Sequence, residues 1–260
     1  MFNILRPLIF KFSPEVAHSL AIKALKLNNI PYSKPKDNHI LETTFCEKKL
    51  SSPIGVAAGF DKNAEVYNPL FNLGFGFVEV GTITPKPQFG NPKPRVFRLE
   101  EDEALINRLG FNNSGSEQIS QTIKENNKKG FLGINIGPNK DSKDRIEDYL
   151  ICFRKFYNLA DYITINISSP NTENLRDFHN QDELNSLIDK LKNEKKELNS
   201  NIPLAIKVSP DLNDDQINEV SKIIMEQEIG IIIVSNTTAV SYTHLRAHET
   251  GRNVVCRLRL

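Results

Sequence analysis

Tyr162-Ile163-Thr164-Ile165-Asn166-Ile167-Ser168-Ser169-Pro170-Asn171 is the stretch on which the fold turns. Isoleucine alternates with a hydroxyl or amide residue. As a strand, this puts Ile163, Ile165 and Ile167 on one face and Thr164, Asn166 and Ser168 on the other. A polar face turned into a protein interior is costly unless a ligand satisfies it. The strand then breaks into polar, turn-forming residues, the kinds a binding site uses.

Five further short apolar runs flank this one, at 54–58, 77–80, 132–136, 204–208 and 231–234. Most intervals between runs hold a helix-like segment, such as 181–198 or 214–228. Strand–helix alternation indicates parallel strands with helices outside. The interval between the second and third runs is the longest. It carries Pro85, Pro87, Pro92 and Pro94, which suits an elaborated loop rather than a plain crossover. Six units in about 190 residues match the ~31 residues per unit of a (β/α)₈ barrel of ~250 residues. The expected architecture is α/β: a TIM-type (β/α)₈ barrel, incomplete at about six units, preceded by a helical extension. Residues 1–45 form the extension and linker, 46–240 the barrel, and 241–260 a separate tail.

The strand ends carry the chemistry. They read Ala58-Gly59-Phe60-Asp61-Lys62, Gly81-Thr82, Asn135 with Gly137, Asn166 to Asn171, Lys207, and Ser235-Asn236-Thr237. In a parallel barrel these termini converge on one face, where barrel enzymes place their active sites. Lys207 lies within the apolar Ala205-Ile206-Lys207-Val208, and a buried ammonium needs an anionic or strongly accepting partner. A flavin with an anionic reduced form is such a partner. No GxGxxG or GxxxxGK[ST] stretch occurs, nor HExxH or a Cys/His set with metal-ligand spacing. A Rossmann nicotinamide site and metal-dependent hydrolysis are therefore not expected.

Thirty-three basic and 32 acidic residues leave no global positive field, which argues against a nucleic-acid partner. Cys46, Cys152 and Cys256 are odd in number and widely spaced, so a reducing compartment fits. No apolar run approaches the ~20 residues needed to span a bilayer. Residues 1–30 read as one or two short amphipathic helices. Ile4, Leu5, Leu8, Ile9 and Phe12 cluster on one side; Ser13 stands as N-cap before Pro14, and Val16, Leu20, Ala24 and Leu27 continue a stripe. Two arrangements fit this pattern: a lid packed on the core, or a membrane-surface hairpin with its apolar side open.

Six segments together resemble the dihydroorotate dehydrogenase family. They are Ala57-Ala58-Gly59-Phe60-Asp61-Lys62-Asn63, Gly81-Thr82-Ile83-Thr84-Pro85, Asn107-Arg108-Leu109-Gly110-Phe111-Asn112, Gly133-Ile134-Asn135-Ile136-Gly137, Asn166-Ile167-Ser168-Ser169-Pro170-Asn171-Thr172 and Ser235-Asn236-Thr237-Thr238. The resemblance runs in order from residue 1 to about 240. Ser169, standing where the cytosolic class has cysteine, implies the quinone-dependent, membrane-associated class, as does the extension in residues 1–30.

The resemblance implies oxidation of dihydroorotate to orotate in pyrimidine biosynthesis, with FMN accepting the hydride and a membrane quinone accepting the electrons. Ser169 is implied as the base, Thr172 as its proton relay, and Lys62 as lying between substrate and flavin. Substrate contacts fall to Asn107, Arg108, Leu109, Gly110, Phe111, Asn166, Asn171, Asn236 and Thr237. Flavin contacts fall to Ala58, Gly59, Phe60, Asp61, Lys62, Thr82, Asn135, Asn166, Lys207 and Ser235. His18 and Arg98 match positions lining a quinone tunnel. The implied setting is peripheral, at the cytoplasmic face of a bacterial membrane, as a monomer.

The family pattern stops near Ala239. All 22 lysines lie at or before Lys222, while four of the 11 arginines fall in the last 20 residues. This marks 241–260 as a foreign or frame-shifted tail outside the family pattern, a genuine basic tail being the alternative, and the glycine-rich loops that hold the FMN phosphate are not seen. The chain by itself is then expected to hold FMN poorly or to misfold. Two alternatives stand beside the main reading: an inactive fragment of such an enzyme, or another FMN-barrel dihydropyrimidine or dihydrouridine oxidoreductase. The latter usually use a cysteine, against which Ser169 speaks.

Overall fold

The computed structural model describes residues 2–27, 39–100, 104–169 and 175–238. Helices α1 (Phe2–Ile9) and α2 (Pro14–Lys26) open the chain. Pro14 takes the first helical turn, where its missing N–H costs nothing. Ser13 stands at the N-cap position, but its hydroxyl makes no capping bond; its carbonyl accepts from the Ala17 N–H at 2.9 Å instead. A hairpin follows, β1 (Thr43–Phe45) and β2 (Lys48–Leu50). Its two turn residues, Cys46 and Glu47, both have positive φ, at 48° and 63°. Two-residue hairpin turns need that backbone to match strand twist. Cys-Glu is not the usual turn pair, which is why the sequence does not announce this hairpin.

The barrel strands are β3 (Gly55–Val56), β4 (Phe77–Ile83), β7 (Phe131–Ile136), β8 (Tyr162–Asn166), β9 (Leu204–Val208) and β10 (Ile231–Val234). They form one sheet in the order β3-β4-β7-β8-β9-β10, every pair parallel. Helix α3 (Tyr67–Asn72) joins β3 to β4, and α5 (Arg145–Phe156), α6 (Gln181–Glu197) and α7 (Asp214–Glu226) join the later pairs. All six apolar runs become strands. The first shortens to two residues, and the second continues past 80 to Ile83 through a register shift beside Gly81, whose φ is 109°. The proline-bearing interval holds an antiparallel pair, β5 (Val96–Leu99) and β6 (Ala104–Asn107), and then α4 (Gly115–Glu125).

The alternation read at 162–168 holds. Ile163, Ile165 and Ile167 are fully buried in the layer between sheet and helices, with Tyr149 and Phe153 of α5 and Leu184, Leu187 and Leu191 of α6. Inside the curl of the sheet, a second cluster gathers Phe77, Phe131, Tyr162, Ala205, Ile231 and Ile233. The β1–β2 hairpin caps this end with Phe45 and Leu50. Phe45 meets Phe131 edge-on at 5.4 Å and Tyr162 at 5.8 Å. Asp161, at the start of β8, binds the plug to the barrel: it accepts from Lys48, from Lys128 at 2.8 Å and from the Leu132 N–H at 2.8 Å.

The stripe on α2 faces outward. Val16, Leu20, Ala24 and Leu27 are exposed, while Ile22 and Leu25 pack inward. The packed face is therefore not the one the sequence pattern selects, and the reading of that stripe as a lid contact is corrected. No helix among the described residues is long and apolar enough to cross a membrane. The expected tail at 241–260 lies outside the described residues.

Candidate active site

The carboxyl ends of β3, β4, β8, β9 and β10 converge on a cleft of about 210 Å³. Ala58, Gly59 and Lys62 enter it from the loop after β3, and Thr82 from β4. Asn107, Leu109, Gly110 and Phe111 come from the end of the β5–β6 hairpin. Asn166 and Ser169 come from β8, Lys207 from β9, and Asn236 and Thr237 from beyond β10. The backbone holds this rim together: Gly59 N–H donates to Gly81 O at 2.9 Å, and Gly81 N–H to Asp61 O at 3.1 Å. Strand alternation extended past Asn166 would turn Ser169 toward the helices. The strand ends at Asn166, the alternation lapses, and Ser169 lines the cleft while only 4% exposed.

The inward polar face of β8 is satisfied without any ligand, which corrects the expectation that one is required. Asn166 Nδ2 donates to Thr82 Oγ1 at 2.9 Å and to Asn135 Oδ1 at 3.2 Å. Ser168 Oγ donates to Asn166 Oδ1 at 2.8 Å and accepts from Asn236 Nδ2 at 3.0 Å. Thr164 Oγ1 donates to Glu79 Oε2 at 2.7 Å. Glu79 escaped the sequence reading, although it is a lone charge in an apolar strand, the same signal that singled out Lys207.

Two groups in the cleft wall remain without partners among the described residues. Lys207 is 8% exposed, and its ammonium makes no hydrogen bond or ion pair there. Asn112 Oδ1 is buried with no donor. Lys62 Nζ donates to Gly59 O at 2.7 Å. Burial first, then the positive charge of Arg95, pulls the Lys62 pKa below its ordinary value. A cleft with an unpaired ammonium in its wall, a partly desolvated second lysine and amide side chains suits a planar, anionic, heteroatom-rich ligand.

The sequence family described as Dihydroorotate dehydrogenase matches residues 40–253 of the chain. The chain belongs to this family. A protein of Bartonella tribocorum named dihydroorotate dehydrogenase (quinone) is 46% identical over 254 residues, covering 95% of this chain and 70% of that protein. One of the same name from Nitrosomonas europaea is 43% identical, covering 96% and 76%. Among solved structures, Eimeria tenella DHODH in complex with ferulenol superposes with a TM-score of 0.84 at 36% identity, covering 92% of this chain and 71% of that one. Its ligand-free form gives 0.83 at 37% identity, with 92% and 74% covered.

In this dihydroorotate dehydrogenase family member, several expected contacts lie beside the cleft rather than in it. Asp61 is fully buried and accepts from the Glu65 and Val66 N–H groups at 2.8 Å, holding the loop that carries Lys62. Arg108 turns its guanidinium to Pro94 O at 3.0 Å and over the Phe97 ring. Asn135 sits beneath the cleft floor, its Oδ1 accepting from Thr82 Oγ1 at 2.6 Å. The Ser235 hydroxyl donates to Asn236 O at 3.0 Å. Phe60 faces α2, where its carbonyl meets His18 Nε2 at 2.7 Å and its ring meets the imidazole edge-on. Arg98 donates to Phe12 O at 2.8 Å and lies 4.6 Å over the Phe10 ring. Asn171 and Thr172 lie outside the described residues. Gly81, read in the sequence as a strand end, and Asn112 line the cleft without having been assigned a contact there. Asn112 had a signal, being the last residue of the quoted Asn107–Asn112 segment.

Proposed function

We propose that the chain oxidises dihydroorotate to orotate within pyrimidine biosynthesis, with FMN as hydride acceptor and a membrane quinone as final acceptor. The observation that carries this is the Lys207 ammonium, which lines the same cleft as Ser169 and the asparagines and has no partner among the described residues. Bound there, FMN supplies an acceptor for the hydride leaving C6 of the substrate.

The residues of the chain do the rest. Ser169 takes the C5 proton; a serine is a weak base and needs a relay, for which Thr172 is assigned. Asn107 and Asn236 hold the pyrimidine edges and its carboxylate, an amide offering both donors and an acceptor, and Asn166 lines the site beside them. The backbone of Leu109, Gly110 and Phe111 closes one side. Lys62 and Lys207 set positive charge along the substrate–flavin stack. A Ser169 that is only 4% exposed works away from bulk water, which strengthens each polar contact.

Residues 1–30 are assigned to the membrane surface at the cytoplasmic face of a bacterial cell. What supports this is the open apolar stripe of Leu8, Phe12, Val16 and Leu20, beside a second cleft lined by Arg6, Phe10 and Lys11. His18 and Arg98 are assigned to a quinone tunnel between that surface and the flavin site.

The test is orotate formation by the purified chain with excess FMN, dihydroorotate and a short-chain ubiquinone analogue. Ser169→Ala should abolish turnover and Ser169→Cys should restore part of it. Turnover indifferent to residue 169 would overturn the assignment.

A further inference from the structure

Glu79 stands on the inward face of β4, 3% exposed, between the apolar plug and the cleft. Three donors converge on it. Asn135 Nδ2 reaches Oε1 at 2.9 Å, while the Tyr162 hydroxyl at 2.9 Å and the Thr164 hydroxyl at 2.7 Å reach Oε2. Gly133, the register partner of Glu79, leaves the room: a Cβ there would lie 2.2 Å from the Tyr162 ring.

A carboxylate offers lone pairs and no proton. Asn135 must therefore turn its NH₂ toward Glu79 and its carbonyl away from it. That carbonyl accepts from Thr82 Oγ1 and Asn166 Nδ2. With its NH₂ spent there and on Thr82, Asn166 has only Oδ1 left for Ser168, whose N–H and hydroxyl both donate to it. The one Ser168 hydroxyl proton is then committed, so its oxygen accepts from Asn236 Nδ2. Asn236 is left with its own Oδ1, which accepts from the Thr237 N–H at 2.8 Å. Every link donates toward Glu79, and two of the amides whose orientation is set in this way line the cleft.

We propose that Glu79 is a positioning residue that fixes the donor–acceptor polarity of the cleft wall. Through Asn135, Asn166 and Ser168 it decides which edge of Asn236 faces a ligand, selecting a planar heterocycle with one fixed alternation of N–H and C=O groups. The choice of ligand rests on the proposed function, whereas the polarity rests on the hydrogen bonds alone. A glutamine at 79 can donate as well as accept, so both senses of the chain become available and the asparagines are free to reverse.

The experiment compares the parent chain with E79Q, with E79Q/N135D and with T164V, by side-chain amide ¹⁵N–¹H spectra and by titration with orotate. E79Q should shift or split the amide signals of Asn166 and Asn236 and weaken orotate binding about tenfold, the loss expected when one buried polar group is misdirected. E79Q/N135D returns an acceptor-only group to the second link, and should recover single Asn166 and Asn236 signals and tighter binding. T164V removes a donor to Glu79 without touching the chain, and should leave Asn236 unmoved. An E79Q spectrum in which only Asn135 changes would overturn the proposal. So would failure of both E79Q and E79Q/N135D to fold, because the carboxylate would then serve the barrel core alone. A parent chain that binds no orotate counts against the proposed function, while the amide spectra still decide the polarity.

Discussion

Lys207 and Lys62 share a cleft but not a situation. Lys62 donates to the Gly59 carbonyl at its rim, whereas Lys207 is held in an apolar strand with no counter-charge among the described residues. A cation carried on a buried strand without a partner opposes folding and favours anion binding, and the two effects can be separated. Lys207→Met should raise the stability of the ligand-free chain by about 1 kcal/mol in a denaturant titration. The same substitution should weaken FMN binding tenfold or more, read by quenching of flavin fluorescence. If stability fell as well, Lys207 would have a partner in solution. The lysine was legible in the sequence because a charge inside Ala205–Val208 breaks a strong pattern. Glu79 offered the same break and its partners did not show, since Asn135, Tyr162 and Thr164 lie on two other strands.

Helix α2 is tied to the barrel at three points along its length, and the turn before it at a fourth. Glu15 meets Arg95 at 3.0 Å, His18 meets Phe60 O, Lys26 pairs with Glu65, and Arg98 reaches back to Phe12 O. Burial, then the charge of Lys62, lowers the His18 pKa below 6.5. The undocked helix thus binds more protons than the docked one between the lowered value and 6.5. Stability is complete above 6.5 and falls as pH drops through that window. The thermal midpoint should show this loss, and His18→Gln should flatten it. The outward stripe makes a different prediction. Val16→Glu with Leu20→Glu should cut binding to anionic phospholipid vesicles severalfold, with a melting midpoint within ~2 °C of the parent, as befits exposed positions. Periodicity revealed the helices but not which apolar face packs, because Ile22 and Leu25 are just as apolar as Val16 and Leu20.

At the scale of the whole molecule, the end of the barrel opposite the cleft is closed by a hairpin and bound by one carboxylate. Burial raises the Asp161 pKa, but hydrogen bonds from Lys128 and Lys48 and from the Leu132 N–H outweigh it and hold the value below 3.8. The folded chain therefore releases the Asp161 proton more readily than the unfolded one. Its contribution is present above pH 3.8 and is lost as pH falls through the lowered value. Asp161→Asn should cost about 2 kcal/mol in urea unfolding, less than a fully buried pair because both lysines are part-exposed. Its effect should shrink below the window in which the parent carboxylate protonates.

The strand count, the parallel order and the gathering of strand ends on one face were all determined by the sequence alone. Alternation and apolar runs are local, and a parallel sheet with short crossovers has few ways to assemble them. Ala58, Thr82, Asn166, Lys207 and Asn236 were legible for that reason. Only the tertiary structure decided that the Ser169 side chain reaches the cleft, that Arg108 and Ser235 turn from it, and that the amides point one way. Those outcomes depend on where a strand stops and on partners distant in the chain. Hydrogen-bond direction is settled between side chains, not within a segment.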